Sequence, residues 1–185
     1  EIAKNLIDEA QAVGCDAVKF QTFKAKSRVS NAVKAVKYAE TIIGTEETIF
    51  EMFDRLAMPF EQQRELFAYA RKQGIEIFST PFDFECVDFL EELDNPIYKI
   101  ASMDTVNLPL IKYVAKTGKP IIMSTGMTTL GQIEEAIETV RDAGNPNLIL
   151  LHCNSSYPAA LEEMNLKVVN TLQKAFGVPV GLSDH

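Results

Sequence analysis

Six short apolar, β-branched segments alternate along the chain with segments of helical periodicity. These segments are 16–23, 75–83, 96–102, 119–127, 147–158 and 178–185. From the second segment onward they recur at intervals of roughly 22 to 30 residues, a spacing that suits parallel strands joined by crossover helices. The alternation therefore predicts an α/β fold built on a parallel sheet.

Each predicted strand begins with apolar residues and ends in polar ones. The polar ends hold Lys19 and Gln21; Thr80; Lys99 and Ser102; Ser124; Ser155; and Ser183 to His185. In a (β/α)₈ barrel all strands open their carboxyl ends onto one face, which carries the active site. A doubly wound open sheet usually needs a glycine-rich first turn, and this sequence has none. We therefore predict a TIM barrel.

The number of strands indicates that this barrel is incomplete. About six strands can be counted, the sequence opens inside a helical pattern, and it ends on a strand pattern. We expect residues 1–185 to form one partial barrel domain that lacks the first and the last strand. The stretch 24–74 holds additional helical patterns at 31–43, 46–57 and 59–74, which predict an insertion over one end of the sheet.

Composition excludes several classes of function. The net charge of −8 and a pI near 4.8 disfavour nucleic acid and anionic membrane surfaces as partners. The sequence has no apolar run of the roughly 18 residues that a membrane span requires, so we expect a soluble, cytoplasmic protein. Three widely spaced cysteines without a CxxC pair predict reduced, mostly buried thiols. An anionic ligand must then be bound by a few local cations.

Two lysines provide those cations. Lys19 and Lys99 each lie between apolar neighbours inside a predicted strand, where an ammonium is costly unless it meets an anion. Either lysine alone can equally extend to the barrel rim or pair with a buried acid. The two together, with the hydroxyl groups of Thr80, Ser102 and Ser124 nearby, favour a phosphate or carboxylate ligand.

Four further polar residues lie in or just after the predicted strands. His185 follows a strand end, a position that favours metal binding or acid–base work, although most single histidines are structural. Asp104 is the best-placed acid for proton transfer or a substrate hydroxyl, with a helix N-cap as the alternative role. Tyr157 lines a pocket or packs with its hydroxyl in water. His152, flanked by apolar residues, is interpreted as a hydrogen-bonded core histidine.

Six motifs in order resemble the N-acetylneuraminate (sialic acid) synthase family over essentially the whole chain. They are AVKFQTF, STPFD, YKIAS with NLPLI, IIMSTGM, LLHCNSSYP and VGLSDH. The resemblance implies condensation of phosphoenolpyruvate with an N-acylated amino sugar such as N-acetylmannosamine, with release of phosphate. It also implies a divalent metal, preferably Mn²⁺ with Mg²⁺ or Co²⁺ as alternatives. The family fold is a (β/α)₈ barrel followed by an antifreeze-like domain, paired as a homodimer.

The resemblance also assigns roles to individual residues. The residues that match positions holding phosphoenolpyruvate in the family are Lys19, Thr80, Lys99, Ser102, Ser124 and Ser183. Ser155 matches a position where some relatives use an asparagine for the same purpose. His185 matches one of two metal-binding histidines and, with Asp104, is the catalytic candidate. Gln21, Asp104 and Tyr157 match sugar-side positions. Relatives commonly have glutamate in place of Asp104, so the acceptor sugar stays open.

Two other functions remain open at this point. A Schiff-base aldolase would use Lys19 or Lys99 as its nucleophile, and borohydride trapping with pyruvate would detect it. A non-catalytic sugar-phosphate binding module would bind ligand without releasing phosphate. The resemblance also implies an N-terminal strand, the second metal histidine, the last barrel strand and the antifreeze-like domain outside this chain. We therefore expect the chain alone to be inactive and assign the function to its parent.

Overall fold

A computed structural model describes residues 1–30 and 48–185. These residues form a six-stranded sheet in which the strands follow their sequence order, and each pair from the second strand to the sixth is parallel. The strands are β1 Ala17–Thr22, β2 Glu76–Pro81, β3 Tyr98–Ile100, β4 Ile121–Ser124, β5 Leu148–Cys153 and β6 Val180–Ser183. The described order contains no reversal, the feature that marks a doubly wound sheet. The predicted α/β fold of the barrel type is confirmed.

Helices alternate with these strands. They are α1 Ile2–Ala12, α2 Ala25–Arg28, α3 Ile49–Leu56, α4 Phe60–Gln73, α5 Phe84–Glu92, α6 Leu108–Ala115, α7 Leu130–Asp142 and α8 Lys167–Phe176. Helix α2 is not among the predicted helices, and the helix predicted over 31–43 lies outside the described residues. Within the described ranges, no helix is long and apolar enough to cross a lipid bilayer.

Polar side chains fix where several helices begin. Asn107 accepts a hydrogen bond from the Leu110 amide at the start of α6. Thr129 and Gln132 form a reciprocal capping box at the start of α7. Each of these bonds satisfies a backbone amide that has no partner inside its own helix. The turns that follow β3 and β4 are therefore held at defined points.

The chain divides into two compact units, and the first comprises Glu1–Ile77 and Pro81–Leu93. Its core lies where α1 packs against α4. Ile7 from α1 and Ala70 from α4 are fully buried, and Phe67 is nearly so. At the edge of this contact the Tyr69 hydroxyl donates to the carboxylate of Asp8. An amphipathic pair of helices thus covers its apolar faces within this unit.

The second unit comprises Phe78–Thr80 and Asp94–His185. Its core is formed by the central strands and by α6 and α7, which pack against each other. The fully buried side chains of this core include Tyr98, Ile100, Ile121, Met123, Leu150, Ile111, Val114, Ala136 and Val140. All three residues of β3 are buried, as expected for a parallel strand that is covered on both faces.

The three cysteines are free, in agreement with the predicted absence of disulfides. Their burial differs from the prediction, since Cys86 alone is buried, Cys153 is half-buried and Cys15 is exposed. Cys15 follows the end of α1, where the chain turns at the surface towards β1. Burial raises the pKa of the Cys86 thiol, which keeps it protonated and unreactive.

Candidate active site

The ammonium group of Lys99 is buried in the second unit. Lys99 is the middle residue of β3 and is 8% exposed. Its Nζ donates to Oγ of Ser124, the last residue of β4, and to the Ile100 carbonyl at 2.9 Å. A buried charge is tolerated when oxygen atoms replace the water it has lost. Lys99 is therefore buried as expected, and a predicted site hydroxyl contacts it.

The hydroxyls beside Lys99 are held by their own backbone contacts. Ser124 is 4% exposed, and its carbonyl accepts a hydrogen bond of 2.7 Å from the fully buried Thr105 hydroxyl. The next residue, Thr125, donates to the Leu151 carbonyl of β5. Thr80, near the end of β2, is 2% exposed. These strand ends thus present buried hydroxyl groups, and hydrogen bonds hold the backbone that follows β4.

Ser102 lies outside β3, in the 3₁₀ turn Ser102–Asp104. Strict alternation along one strand would place Lys99 and Ser102 on opposite faces, and the turn removes Ser102 from that alternation. The Ser102 Oγ accepts a hydrogen bond of 3.0 Å from the Gly126 amide. It also lies 3.1 Å from Sγ of Cys153, the last residue of β5.

The same serine belongs to a cluster that surrounds Gly126. A Cβ atom at Gly126 would lie 2.9 Å from Ser102 Oγ, from Cys153 Sγ and from Ser155 Oγ. Two predicted ligand residues, Ser102 and Ser155, are thereby brought together with Cys153 and Gly126, which the sequence did not single out. These four residues lie at or after the ends of three different strands, β3, β4 and β5, so no local sequence pattern reveals that they meet.

His185 lies in a second group of predicted residues. Its Nε2 is 3.2 Å from Tyr157 Oη and 3.3 Å from Ser183 Oγ, and its ring tilts against the Tyr157 ring. Ser183 in turn pairs in register with Cys153 on the neighbouring strand. His185 and Tyr157 are both exposed, so this group is open to solvent. The structure therefore places a predicted metal ligand beside a predicted sugar-side residue.

Asp104 and His152 have local partners. Asp104 ends the 3₁₀ turn, is half-buried, and accepts a hydrogen bond of 3.3 Å from the Asn107 side chain. Asn107, and not Asp104, caps α6. His152 Nε2 lies 2.8 Å from the Met164 carbonyl, so the predicted hydrogen bond is present. The ring is half-buried rather than part of the core, because β5 ends one residue later.

The first unit holds Lys19 and Gln21 in β1. Lys19 is exposed, contrary to the expected burial. Partial burial of its ammonium nevertheless lowers its pKa. Gln21 is also exposed and accepts a hydrogen bond of 3.3 Å from Arg28, whose guanidinium stacks on Phe82. That Lys19 and Lys99 contact one ligand stays a prediction.

The second unit has the chemistry of an anion site. A buried ammonium and several hydroxyl donors lie at the carboxyl ends of adjacent parallel strands, where barrel enzymes bind their substrates. Donors of this kind bind ligands with several acceptor oxygens, such as phosphates and carboxylates. Lys99 and Ser124 form the centre of this group.

Comparison with known proteins places this geometry among related sequences. The model of the NeuB family matches residues 6–185. The N,N'-diacetyllegionaminic acid synthase of Campylobacter jejuni is 44% identical over 186 residues, with 100% of this chain and 56% of the relative covered. The N-acetylneuraminate-9-phosphate synthase of Homo sapiens is 33% identical, with 100% and 51% covered. The chain thus spans about half the length of the curated relatives it matches.

Solved structures of related proteins share the fold of this chain. The sialic acid synthetase of Leptospira borgpetersenii, solved in complex with citrate, aligns with a TM-score of 0.83 and 31% identity. The alignment covers 99% of this chain and 59% of that one. A truncated 3-deoxy-D-arabino-heptulosonate 7-phosphate synthase of Thermotoga maritima aligns with a TM-score of 0.69 at 14% identity, a likeness of fold alone.

Proposed function

Because the chain belongs to the NeuB family, we propose that the whole protein condenses phosphoenolpyruvate with an N-acylated amino sugar. The product would be a sialic-acid-like nonulosonic acid, and phosphate would be released. Relatives that are 44%, 37% and 33% identical are named N,N'-diacetyllegionaminic acid synthase, pseudaminic acid synthase and N-acetylneuraminate-9-phosphate synthase. The observation that carries the proposal is the buried Lys99 ammonium bound to Ser124 at the strand ends.

The proposed substrate suits these donors. Phosphoenolpyruvate carries a phosphate and a carboxylate, and both groups only accept hydrogen bonds once ionised. A chain with a net charge of −8 must hold such an anion with a few local cations. We assign this role to Lys99 and Lys19, with hydroxyl groups completing the contacts. These hydroxyls are those of Thr80, Ser102, Ser124, Ser155 and Ser183.

The acceptor sugar would lie beside Gln21, Asp104 and Tyr157. In the condensation, the enol carbon of phosphoenolpyruvate attacks the carbonyl carbon of the open-chain sugar, and a carbon–carbon bond forms. Water then attacks the electron-poor carbon that results, and the carbon–oxygen bond to phosphate breaks. Asp104 is our candidate for moving the protons in these steps. Holding the two substrates in contact supplies much of the rate.

A divalent metal, Mn²⁺ by preference, would polarise the sugar aldehyde when bound. His185 fits one ligand position, because imidazole nitrogen binds such metals and the Nε2 atom is at an exposed strand end. Among residues 1–30 and 48–185, no group of three or more His, Cys, Asp or Glu residues is arranged to hold a metal ion. We propose His185 as one ligand and assign no catalytic step to the metal.

A phosphate-release assay tests the proposed function. The whole protein is incubated with phosphoenolpyruvate, Mn²⁺ and a panel of sugars comprising N-acetylmannosamine, its 6-phosphate and diacetamido sugars. We expect release of phosphate with at least one of them. Ligand binding without release for the entire panel would instead support a non-catalytic binding module. Light scattering on the same sample tests whether the whole protein is a homodimer, as the family resemblance implies.

Replacing His185 by alanine is expected to weaken Mn²⁺ binding by the whole protein by more than about 10-fold, because losing a ligand costs at least as much as losing a residue that orients one. The binding is followed by electron paramagnetic resonance of free Mn²⁺. His152→Gln is the matched control, because His152 is occupied with the Met164 carbonyl and we assign it no metal. Equal affinities in His185→Ala and the native protein would remove His185 from the metal site.

A further inference from the structure

The structure assigns Cys153 and Gly126 as positioning residues that make the Ser102 hydroxyl donate its proton towards the anionic substrate. This inference rests on the proposed function, because it concerns how the same site binds phosphoenolpyruvate. Ser102 Oγ accepts a hydrogen bond of 3.0 Å from the Gly126 amide and lies 3.1 Å from Cys153 Sγ. Neither Cys153 nor Gly126 needs to touch the substrate for this effect.

The hydroxyl group of Ser102 has a limited number of hydrogen bonds to make. A serine oxygen has one proton to donate and two lone pairs that accept. The Gly126 amide occupies one lone pair of Ser102. If the Cys153 thiol donates to the other, the Ser102 proton has only the substrate side left. If Ser102 instead donates to the sulfur, it offers the substrate a lone pair.

The substrate selects between these two states. Phosphate and carboxylate oxygens accept hydrogen bonds, so they bind the state in which Ser102 donates and repel the one in which it offers a lone pair. A ligand shifts a two-state equilibrium by its difference in affinity for the two states. In the donating state the Cys153 thiol can donate to the second lone pair of Ser102, so the sulfur and the hydroxyl both keep a hydrogen-bond partner while the Ser102 proton is turned towards the substrate.

Gly126 supports the same arrangement by its size. It is buried, and an added Cβ would lie 2.9 Å from Ser102 Oγ, Cys153 Sγ and Ser155 Oγ. Distances below 3.0 Å are not seen for real Cβ atoms, so a side chain here would displace these groups. Glycine therefore lets its amide reach Ser102 while the thiol and the two hydroxyls stay close.

Two substitutions of Cys153 in the whole protein separate hydrogen bonding from packing. Cys153→Ala removes the donor and is expected to raise the KM for phosphoenolpyruvate by about three- to tenfold, the effect of one neutral hydrogen bond. We expect kcat to change by less than about twofold. Cys153→Ser keeps a group that can donate, so its KM is expected to stay near that of the native protein.

A pair of glycine substitutions tests the steric part. Gly126→Ala is expected to raise the same KM by more than about tenfold, because it displaces two substrate-binding hydroxyls as well as the thiol. Gly131→Ala is the matched control. A Cβ at Gly131 meets nothing within 4 Å, and the residue lies in α7, so its KM should not change.

Calorimetric titration with phosphoenolpyruvate alone distinguishes this inference from the proposed function. If the native protein binds phosphoenolpyruvate but releases no phosphate with any sugar, the proposed function fails. The inference is then tested by comparing the Kd values of Cys153→Ala and Cys153→Ser for phosphoenolpyruvate. Equal losses in Cys153→Ala and Cys153→Ser would show a packing role and overturn the inference. Native affinity in Cys153→Ala, or no binding by the native protein, would overturn it too.

Discussion

Lys99→Met in the whole protein is expected to lower kcat/KM for phosphoenolpyruvate by about 100- to 1,000-fold, the loss typical of a donor that stabilises developing charge. Lys99 is 8% exposed, and its ammonium lies against Ser124 at the end of β4. Methionine has a similar length and fills the same space, so the substitution removes the charge without leaving a cavity. Phosphate release with the best sugar of the panel gives the measurement.

Stability distinguishes loss of the site from loss of the fold. Lys99→Met removes the donor to Ser124 Oγ and to the Ile100 carbonyl, so we expect the free energy of unfolding to fall by about 1 to 3 kcal/mol while the variant stays folded at the assay temperature. Lys116→Met is the control, because Lys116 is an exposed lysine at the end of α6. Retention of a tenth or more of the native kcat/KM by Lys99→Met would show that Lys99 does not bind the substrate.

The sequence predicts the strands well for a physical reason. A parallel strand covered on both faces must be apolar throughout, and such runs stand out between helical patterns. The predicted strand ends are less accurate. The segment predicted as 147–158 ends as a strand at Cys153, because the polar residues after it form turns instead of ladder bonds.

The candidate site was predicted in part. The burial of Lys99 follows from its apolar neighbours in the sequence, and the structure confirms it. The same reasoning fails for Lys19, which is exposed although its sequence neighbours are apolar, because local sequence does not show which strands have both faces covered. The contact of Ser102 with Gly126 and Cys153 depends on the spacing of the ends of β3, β4 and β5. The sequence does not display that spacing.

A repeated Asn-Pro pair precedes β3 and β5, and its asparagines are buried. Asn95 is fully buried, accepts a hydrogen bond from the Ser79 amide and donates to the Ile97 carbonyl. Asn145 is 2% exposed, donates to the Lys119 carbonyl at 2.8 Å, and accepts from the Asn147 amide at 2.9 Å. Each side chain satisfies backbone groups that water cannot reach easily.

Asn145→Ala is expected to lower the free energy of unfolding by about 2 to 4 kcal/mol, because buried backbone groups lose their partners. Denaturant unfolding of the whole protein measures the change. Asn147→Ala is the matched control: its side chain is exposed and its backbone amide is kept, so we expect a change within about 0.5 kcal/mol. A similarly small change for Asn145→Ala would mean that other groups replace its hydrogen bonds.

Activity should respond differently from stability in Asn145→Ala. Asn145 contacts residues just before β4 and β5, whereas Ser124 and Cys153 end the same two strands. In barrel enzymes the amino-terminal ends of the strands contribute stability and the carboxyl ends carry the chemistry. At a temperature well below its unfolding midpoint, Asn145→Ala should therefore retain the native KM for phosphoenolpyruvate. A raised KM in the folded variant would show that the two ends of these strands are coupled.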